Sequence, residues 1–223
     1  MFIFEGIIVE LHFILKSTIM QINEDKLEAF WQWFVKNSTI IKQVIEHNDT
    51  NQSERIVEEL NNFILDFGMF TWDIGQNEDN VWFFLISPNG DPELLLISQR
   101  IMADAPSHLE WLFLSSRPSM LWDRQFSIYN NEMDLIQIDG TYWSYLAFEE
   151  DNGQIELVFE AQNIAHLDEE TAEFAVNQFL VNELGEKERI LKISSVTVVP
   201  IIDEEDQEDK YPIHVLRSHL GIE

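Results

Sequence analysis

The segment Phe70–Ser116, FTWDIGQNEDNVWFFLISPNGDPELLLISQRIMADAPSHLEWLFLSS, contains the clearest strand patterns in the chain. Residues 70–74 alternate between apolar and polar, which is typical of a half-buried strand. Residues 81–86 form an uninterrupted apolar run, as in a strand covered on both faces. Turn-forming residues at 88–92 precede a third apolar run, ELLLIS. We therefore predict three strands joined by hairpins, a short helix over 99–105, and a fourth strand in EWLFLSS.

Helical patterns precede this segment. Asn23 is a favoured N-cap residue, and Asn37 and Ser38 are predicted to end the first helix. A second, shorter helix is predicted over 40–45, and a third begins at Ser53 as its N-cap. The first helix has one apolar face, at the spacing of successive helical turns: Leu27, Phe30, Trp31 and Phe34.

A second series of strands begins near Glu132. The stretches EMDLIQI (132–138) and TYWSYLAF (141–148) are separated by the dipeptide 139–140, Asp-Gly, which is the strongest short hairpin pattern in the chain. A further turn leads into QIELVFE (154–160), where apolar and polar residues alternate. The pattern predicts three more strands joined by hairpins.

A long helix follows, capped by Asp168 and ended by Gly185. The stretch 195–202 predicts a final strand, and Pro200 places it at a sheet edge or marks its end. Residues 211–220 predict a closing helix. The predicted fold class is α+β: N-terminal helices followed by two similar antiparallel β-rich lobes, each with three hairpin-linked strands, a helix and a further strand.

The predicted domains are 20–122, with the helices and the first lobe, and 123–223, the strongly acidic second lobe with the C-terminal helix. Residues 1–19 are apolar but carry charges, so they fit neither a signal peptide nor a membrane span. They are either an extension before a start at Met20 or an extra N-terminal strand.

The charge is strongly negative: 41 acidic residues against 13 basic ones give a net charge of −28. Such a chain repels nucleic acid and anionic membranes and favours a basic partner. Residues 125–186 contain 14 acids and no Lys or Arg, and 203–209 is an acidic run. The chain has no Cys, which excludes disulfides and thiolate metal sites and fits a reducing compartment. We expect a cytoplasmic protein.

No catalytic motif is present: the sequence lacks HExxH, GxSxG, a Walker loop and GxGxxG. The six His residues show no metal-ligand spacing, and we predict no cofactor and no metal site.

A basic-aromatic patch lies in acidic surroundings at Arg117, Trp122 and Arg124. It is suited to binding a carboxylate or an indole face, with an internal salt bridge as the alternative. Glu186 lies at a helix C-terminus, where its charge is unfavourable unless it accepts a hydrogen bond from an adjoining loop. Trp143 completes the candidate binding residues.

Four segments carry a resemblance: FWQWF (30–34), APSHLEWLF (105–113), IDGTYW (138–143) and LGE (184–186). Together they resemble a family of uncharacterised bacterial proteins of about this length, which has no established activity. The resemblance implies a bacterial cytoplasmic α+β protein and transfers no catalytic residue.

Three functional hypotheses follow. The leading one is a non-enzymatic acidic protein-binding module that engages a basic partner, in the style of the immunity proteins of bacterial toxin systems. The alternative is a carboxylate-based hydrolase, with or without a divalent metal, which requires acids and a His converging in one pocket. A third possibility, a nucleic-acid mimic, requires acids along one continuous ridge.

Overall fold

The computed structural model describes residues 22–47 and 50–222, so the predicted extension over 1–19 lies outside the described residues. The fold is mixed α+β, as predicted. The chain divides into two compact units, the first ending at Ser116 and the second beginning at Arg117, whereas the sequence placed the boundary after Trp122. None of the described helices is long and apolar enough to cross a membrane.

The described part of the first unit contains three helices and a three-stranded sheet in the order β1-β2-β3. Strand β2 is antiparallel to β1 and parallel to β3. Phe30, Phe34 and Phe84 are fully buried where the helices cover the sheet. The described elements are α1 (Glu24–His47), α2 (Thr50–Leu65), β1 (Thr71–Gln76), β2 (Trp82–Ser87), α3 (Pro92–Ala103) and β3 (Trp111–Leu114).

Helix α1 runs without interruption through the predicted break at Asn37 and Ser38, so the prediction of two helices is wrong. The Asn37 amide donates to the Trp33 carbonyl oxygen (2.9 Å) and the Ser38 hydroxyl donates to the Val35 carbonyl oxygen (3.0 Å). These polar side chains bond back to the helix instead of ending it. Ser53 is also not an N-cap, because α2 begins at Thr50.

The predicted strand ELLLIS is the first half of helix α3, and that prediction is wrong. Asp91 is the N-cap, with its carboxylate accepting from the backbone N–H groups of Glu93 (2.7 Å) and Leu94 (3.1 Å). Pro92 occupies the first helical turn, where its missing N–H costs nothing. The chain therefore crosses over by a helix and returns in β3 parallel to β2, not by a hairpin.

The second unit contains a two-stranded sheet, β4-β5, and a four-stranded sheet in the order β8-β7-β6-β9. Strand β7 is antiparallel to β6 and parallel to β8. Tyr145, Phe159 and Phe179 are fully buried in its core. The elements are β4 (Gln125–Tyr129), β5 (Leu135–Asp139), β6 (Ser144–Glu149), β7 (Ile155–Glu160), α4 (Glu169–Leu184), α5 (Glu186–Lys192), β8 (Ile193–Val199), β9 (Tyr211–Pro212) and α6 (Leu216–His219), with 3-10 turns at Glu204–Asp206 and Ile213–Val215.

The hairpin predicted at Asp139 and Gly140 is wrong, since β5 and β6 belong to different sheets. Strand β5 pairs instead with β4, which the sequence analysis missed. A Cβ on Gly140 would lie 2.7 Å from Cε2 of Phe179, so glycine is required here by packing and not by a turn. The closing segment is not one helix, because Tyr211 adds to the edge of β6 before the short helix α6 begins.

Each unit contains the same succession of two antiparallel strands, a helix, and a third strand parallel to the second: β1-β2-α3-β3 and β6-β7-α4-β8. Only two strands in each succession are joined by a hairpin, which corrects the predicted three. Strand β8 ends at Val199 on the sheet edge, in agreement with the position of Pro200.

Candidate functional site

The predicted binding residues lie around the C-terminal end of α4, in the second unit. Two carboxylates are buried there, Glu183 (4% exposed) and Glu186 (3% exposed). Buried carboxylates are rare unless they are paired, because removing their charge from water is costly. Their partners come from the loop 117–124, which joins the start of the unit to β4.

Glu183 binds both the aromatic and the basic side chain of this loop. Its carboxylate accepts from the indole Nε1 of Trp122 (3.0 Å) and from Arg124 Nε (3.1 Å) and Nη2 (2.8 Å). The two Arg124 contacts involve both carboxylate oxygens, which is the bidentate geometry that fixes orientation as well as adding energy. Arg217 donates to the backbone carbonyl oxygen of the same glutamate (2.7 Å).

Glu186 holds the beginning of the loop. Its carboxylate accepts from the backbone N–H of Arg117 (2.9 Å), and its own backbone N–H donates to the Arg117 carbonyl oxygen (2.9 Å). Gly185, at φ 89°, separates α4 from α5, and a Cβ there would lie 3.1 Å from the backbone N of Ser119. The close approach of the helix end to the loop and the left-handed backbone both favour glycine at this position.

Trp143 packs in the core beside the same loop. The rings of Trp122 and Trp143 lie 5.3 Å and 5.0 Å from the ring of Phe179. The Trp143 indole donates to Asn163 Oδ1 (2.7 Å), and the Asn163 amide donates to the Asp139 carbonyl oxygen (2.9 Å). Because Trp143 is buried, it is not available to a partner.

The structure thus brings Arg117, Trp122, Arg124 and Glu186 together, but their described polar contacts are within the unit. The loop exposes the apolar side chains of Met120 and Leu121, together with residues 117–119 and Asp123. The Met120 backbone N–H donates to the Asn182 carbonyl oxygen (2.7 Å), which holds this part of the loop as well. We call residues 117–124 with Glu183 and Glu186 the latch.

Sequence analysis did not single out Glu183. It lies four residues after Phe179 and three after Leu180, on the apolar face of α4. An acid at a core position of an amphipathic helix predicts a buried partner, and that pattern was available in the sequence.

Three further basic residues of the second unit also bind internal acceptors, whereas Arg117 and Lys187 are exposed. Arg189 donates to Asn177 Oδ1 (2.8 Å from Nε), Lys192 to the Leu220 carbonyl oxygen (2.8 Å), and Lys210 to Glu160 (2.8 Å). Burial lowers the pKa of Arg189. Two ion pairs of this unit are Arg124–Glu183 and Lys210–Glu160, and neither glutamate is among the exposed residues.

The exposed acids of the second unit are left without ion pairs among the described residues. Residues 117–223 contain 23 acids and seven basic residues, so the excess of negative charge lies on the surface. These exposed acids, which we call the acidic surface, are Asp123, Glu132, Asp134, Asp139, Glu149, Glu150, Asp151, Asp168, Glu169, Glu170, Asp203, Glu204, Glu205, Glu208 and Asp209.

A cleft of about 580 Å³ lies in the first unit and is partly acidic. It has no histidine, and Arg100 pairs with two of its carboxylates, Glu24 (3.1 Å) and Asp104 (2.6 Å). In the described ranges, no three His, Asp or Glu residues are grouped so that they could hold a metal ion. The cleft is lined by Glu24, Asp25, Leu27, Glu28, Trp31, Gln32, Val35, Lys36 and Asp104.

Comparison with known proteins yields no match: no family model, no curated protein and no solved structure is significantly similar to this chain. The resemblance to a bacterial family stays a prediction.

Proposed function

We propose that the protein is a non-enzymatic binding module whose second unit engages a basic partner protein through the acidic surface. One observation carries this proposal: five of the seven basic side chains of the unit, those of Arg124, Arg189, Lys192, Lys210 and Arg217, bind internal acceptors, so few cations are left to neutralise its exposed carboxylates. A surface of this kind attracts a basic protein over a distance of about one Debye length, roughly 8–10 Å at physiological salt.

The energetic role of such a surface is steering. Complementary charge raises the rate of encounter and excludes acidic competitors, while affinity comes from apolar contacts at the interface. The latch presents Met120 and Leu121 within this acidic environment, and its buried hydrogen bonds fix the loop before any partner arrives. A fixed loop loses little conformational entropy on binding, which favours affinity.

The hydrolase hypothesis has no such observation behind it. Its acids and histidine would have to converge in one cleft, and the partly acidic cleft of the first unit contains no histidine. A cytoplasmic bacterial protein that neutralises a basic toxin is one form that the proposed function can take.

The test has two stages. The full-length protein is used at low salt to retain proteins from the bacterial cell, and the retained protein is identified and purified. Its association rate with the full-length protein is then measured across a range of NaCl concentrations. We expect a basic partner in equimolar amount and an association rate that falls steeply with salt.

Two triple variants locate the charge that matters. One neutralises the acidic run of the second unit (Glu204→Gln, Glu205→Gln, Glu208→Gln), and the control neutralises three exposed acids of the first (Glu54→Gln, Glu58→Gln, Glu78→Gln). Both remove three charges from the same net charge of −28. We expect slower association in the first variant alone. An equal effect in both variants, or retention that salt does not change, would contradict the proposal.

A further inference from the structure

Three turns of the molecule share one backbone design, at 77–81, 130–134 and 150–154. In each, the first residue's N–H donates to the fifth residue's carbonyl oxygen (3.0, 3.1 and 2.8 Å). The fourth residue's N–H donates to the first residue's carbonyl oxygen (2.9 Å in all three). The fourth residue has a left-handed backbone in each case: Asn80 (φ 59°), Met133 (φ 67°) and Gly153 (φ 81°).

Met133 is the exception among these three residues. Glycine and asparagine adopt the left-handed region readily, whereas a long side chain with a Cβ does so at a cost in free energy. Burial does not offset this cost, because the Met133 side chain is 74% exposed. The chain therefore holds a large apolar side chain in solvent, at a position where it destabilises the fold.

Two further apolar side chains are exposed beside Met133. Tyr129 (59% exposed) and Leu135 (54% exposed) face each other across the β4–β5 register. The opposite face of the hairpin is anchored in the core by Ile128 and Ile138, which are buried. We call residues 129–135 the hairpin tip: a firmly held element with three exposed apolar side chains.

The charge around the hairpin tip decides what can cover it. Glu132 and Asp134 flank Met133, are exposed, and form no ion pair among the described residues. The sequence supplies no Lys or Arg between Arg124 and Lys187. A second copy of this chain would bring like charges together, so the complementary surface is an apolar pocket bordered by Lys or Arg.

We propose that the hairpin tip inserts Met133, with Tyr129 and Leu135 beside it, into an apolar pocket bordered by basic residues on the partner protein. This inference rests on the proposed function and assigns it a contact site. Methionine suits the role because its flexible, polarisable side chain adapts to irregular apolar surfaces.

The test uses the full-length ¹⁵N-labelled protein and a synthetic helical peptide with lysines on one face and leucines on the other. A lysine–serine peptide and a glutamate–leucine peptide are the controls. We expect the lysine–leucine peptide to shift the backbone resonances of residues 129–135 at low salt, and the other two peptides to leave them unchanged.

Met133→Gly removes the apolar side chain and relieves the backbone, so it is expected to stabilise the fold and weaken peptide binding about tenfold. Asn80→Gly is the matched control, because it introduces glycine at the equivalent turn position of the first unit and should leave binding unchanged. Unchanged affinity in Met133→Gly would overturn the inference.

The outcomes separate the two proposals. Resonance shifts confined to other parts of the acidic surface would overturn the hairpin tip as the contact site and retain the proposed function. No binding of the lysine–leucine peptide at low salt would overturn both.

Discussion

Replacing Glu183 by Gln tests whether the latch depends on the buried carboxylate. The variant keeps the shape of the side chain but removes its charge and replaces one acceptor oxygen by an NH₂ donor. That donor would face either the Trp122 indole N–H or the Arg124 guanidinium, which are themselves donors. The variant therefore loses at least one hydrogen bond and leaves a cation without its counter-ion.

The magnitude follows from three contributions. Removing one partner of a buried ion pair costs about 3–5 kcal/mol. The Arg124 side chain is 25% exposed, so its guanidinium regains part of its hydration and the cost falls toward the lower limit. Loss of a negative charge from the last turn of α4 returns about 0.3–1 kcal/mol through the helix dipole. We expect Glu183→Gln to lower the free energy of unfolding by about 2 kcal/mol.

The assay is urea unfolding, followed by the indole N–H resonance of Trp122, which reports on the second unit alone. Glu173→Gln is the control, since it makes the same chemical change on the same helix, at a side chain that forms no ion pair in the described structure. A double-mutant cycle with Arg124→Met should give a coupling free energy above about 1 kcal/mol. A loss below about 0.5 kcal/mol in Glu183→Gln, with the Trp122 resonance unmoved, would refute the latch.

Three other predictions concern stability. The Lys42 ammonium lies 5.7 Å and 5.2 Å from the ring centroids of Trp82 and Trp111. Lys42→Met should therefore lower the free energy of unfolding by about 1 kcal/mol, measured by urea unfolding. An unchanged unfolding midpoint would contradict a stabilising cation–π contact. Burial tends to raise the pKa of Glu160, but the hydrogen bond and charge of Lys210 lower it overall. The stability that this pair contributes is therefore complete above the ordinary glutamate pKa and is lost as the pH falls through the lowered pKa of the folded state. In Glu160→Gln, the free energy of unfolding should depend less on pH over this acidic range, and an unchanged pH dependence would contradict the prediction. With a net charge of −28, the melting temperature should rise as NaCl screens self-repulsion, and a fall would contradict it.

Local sequence patterns predicted helix α4 closely because its determinants are local. Asp168 caps it through the Thr171 backbone N–H (3.0 Å), and Gly185 ends it, as expected. ELLLIS was misassigned although its determinants are local too: Asp91 followed by Pro92 is an N-cap followed by a residue favoured in the first helical turn. Pro92 also fits a turn, and a short apolar run after it does not distinguish a strand from a buried helix.

Gly140 shows a determinant that no local pattern contains. Its sequence neighbour Asp139 makes it resemble a hairpin turn, but the residue that requires glycine is Phe179, 39 positions away. The true turn of β4–β5 lies at 130–134, and Met133 occupies the position where glycine or asparagine would have revealed it. Because methionine is unusual at this turn position, the sequence does not reveal the turn. The same unusual choice of residue indicates that Met133 serves a purpose other than stability.

The candidate site could be predicted from the sequence only in part. The basic-aromatic residues Arg117, Trp122 and Arg124 stand out in an acidic chain, so they were found. Glu183 did not stand out, because residues 125–186 contain 14 acids and only burial separates Glu183 and Glu186 from the others. Whether a carboxylate lies inside or outside is a property of the tertiary structure, and the helical spacing of α4 was the one indication of it.

The buried pairing and the acidic surface have a common origin, since every cation held by an internal acceptor is a cation removed from the surface. Arg124 and Glu183 neutralise each other, so together they add nothing to the net charge of the surface. A double variant with methionine at both positions should therefore alter the stability of the latch while leaving the salt dependence of partner association as it was. A change in that salt dependence would mean that Arg124 reaches the partner, and that the latch opens when the partner binds.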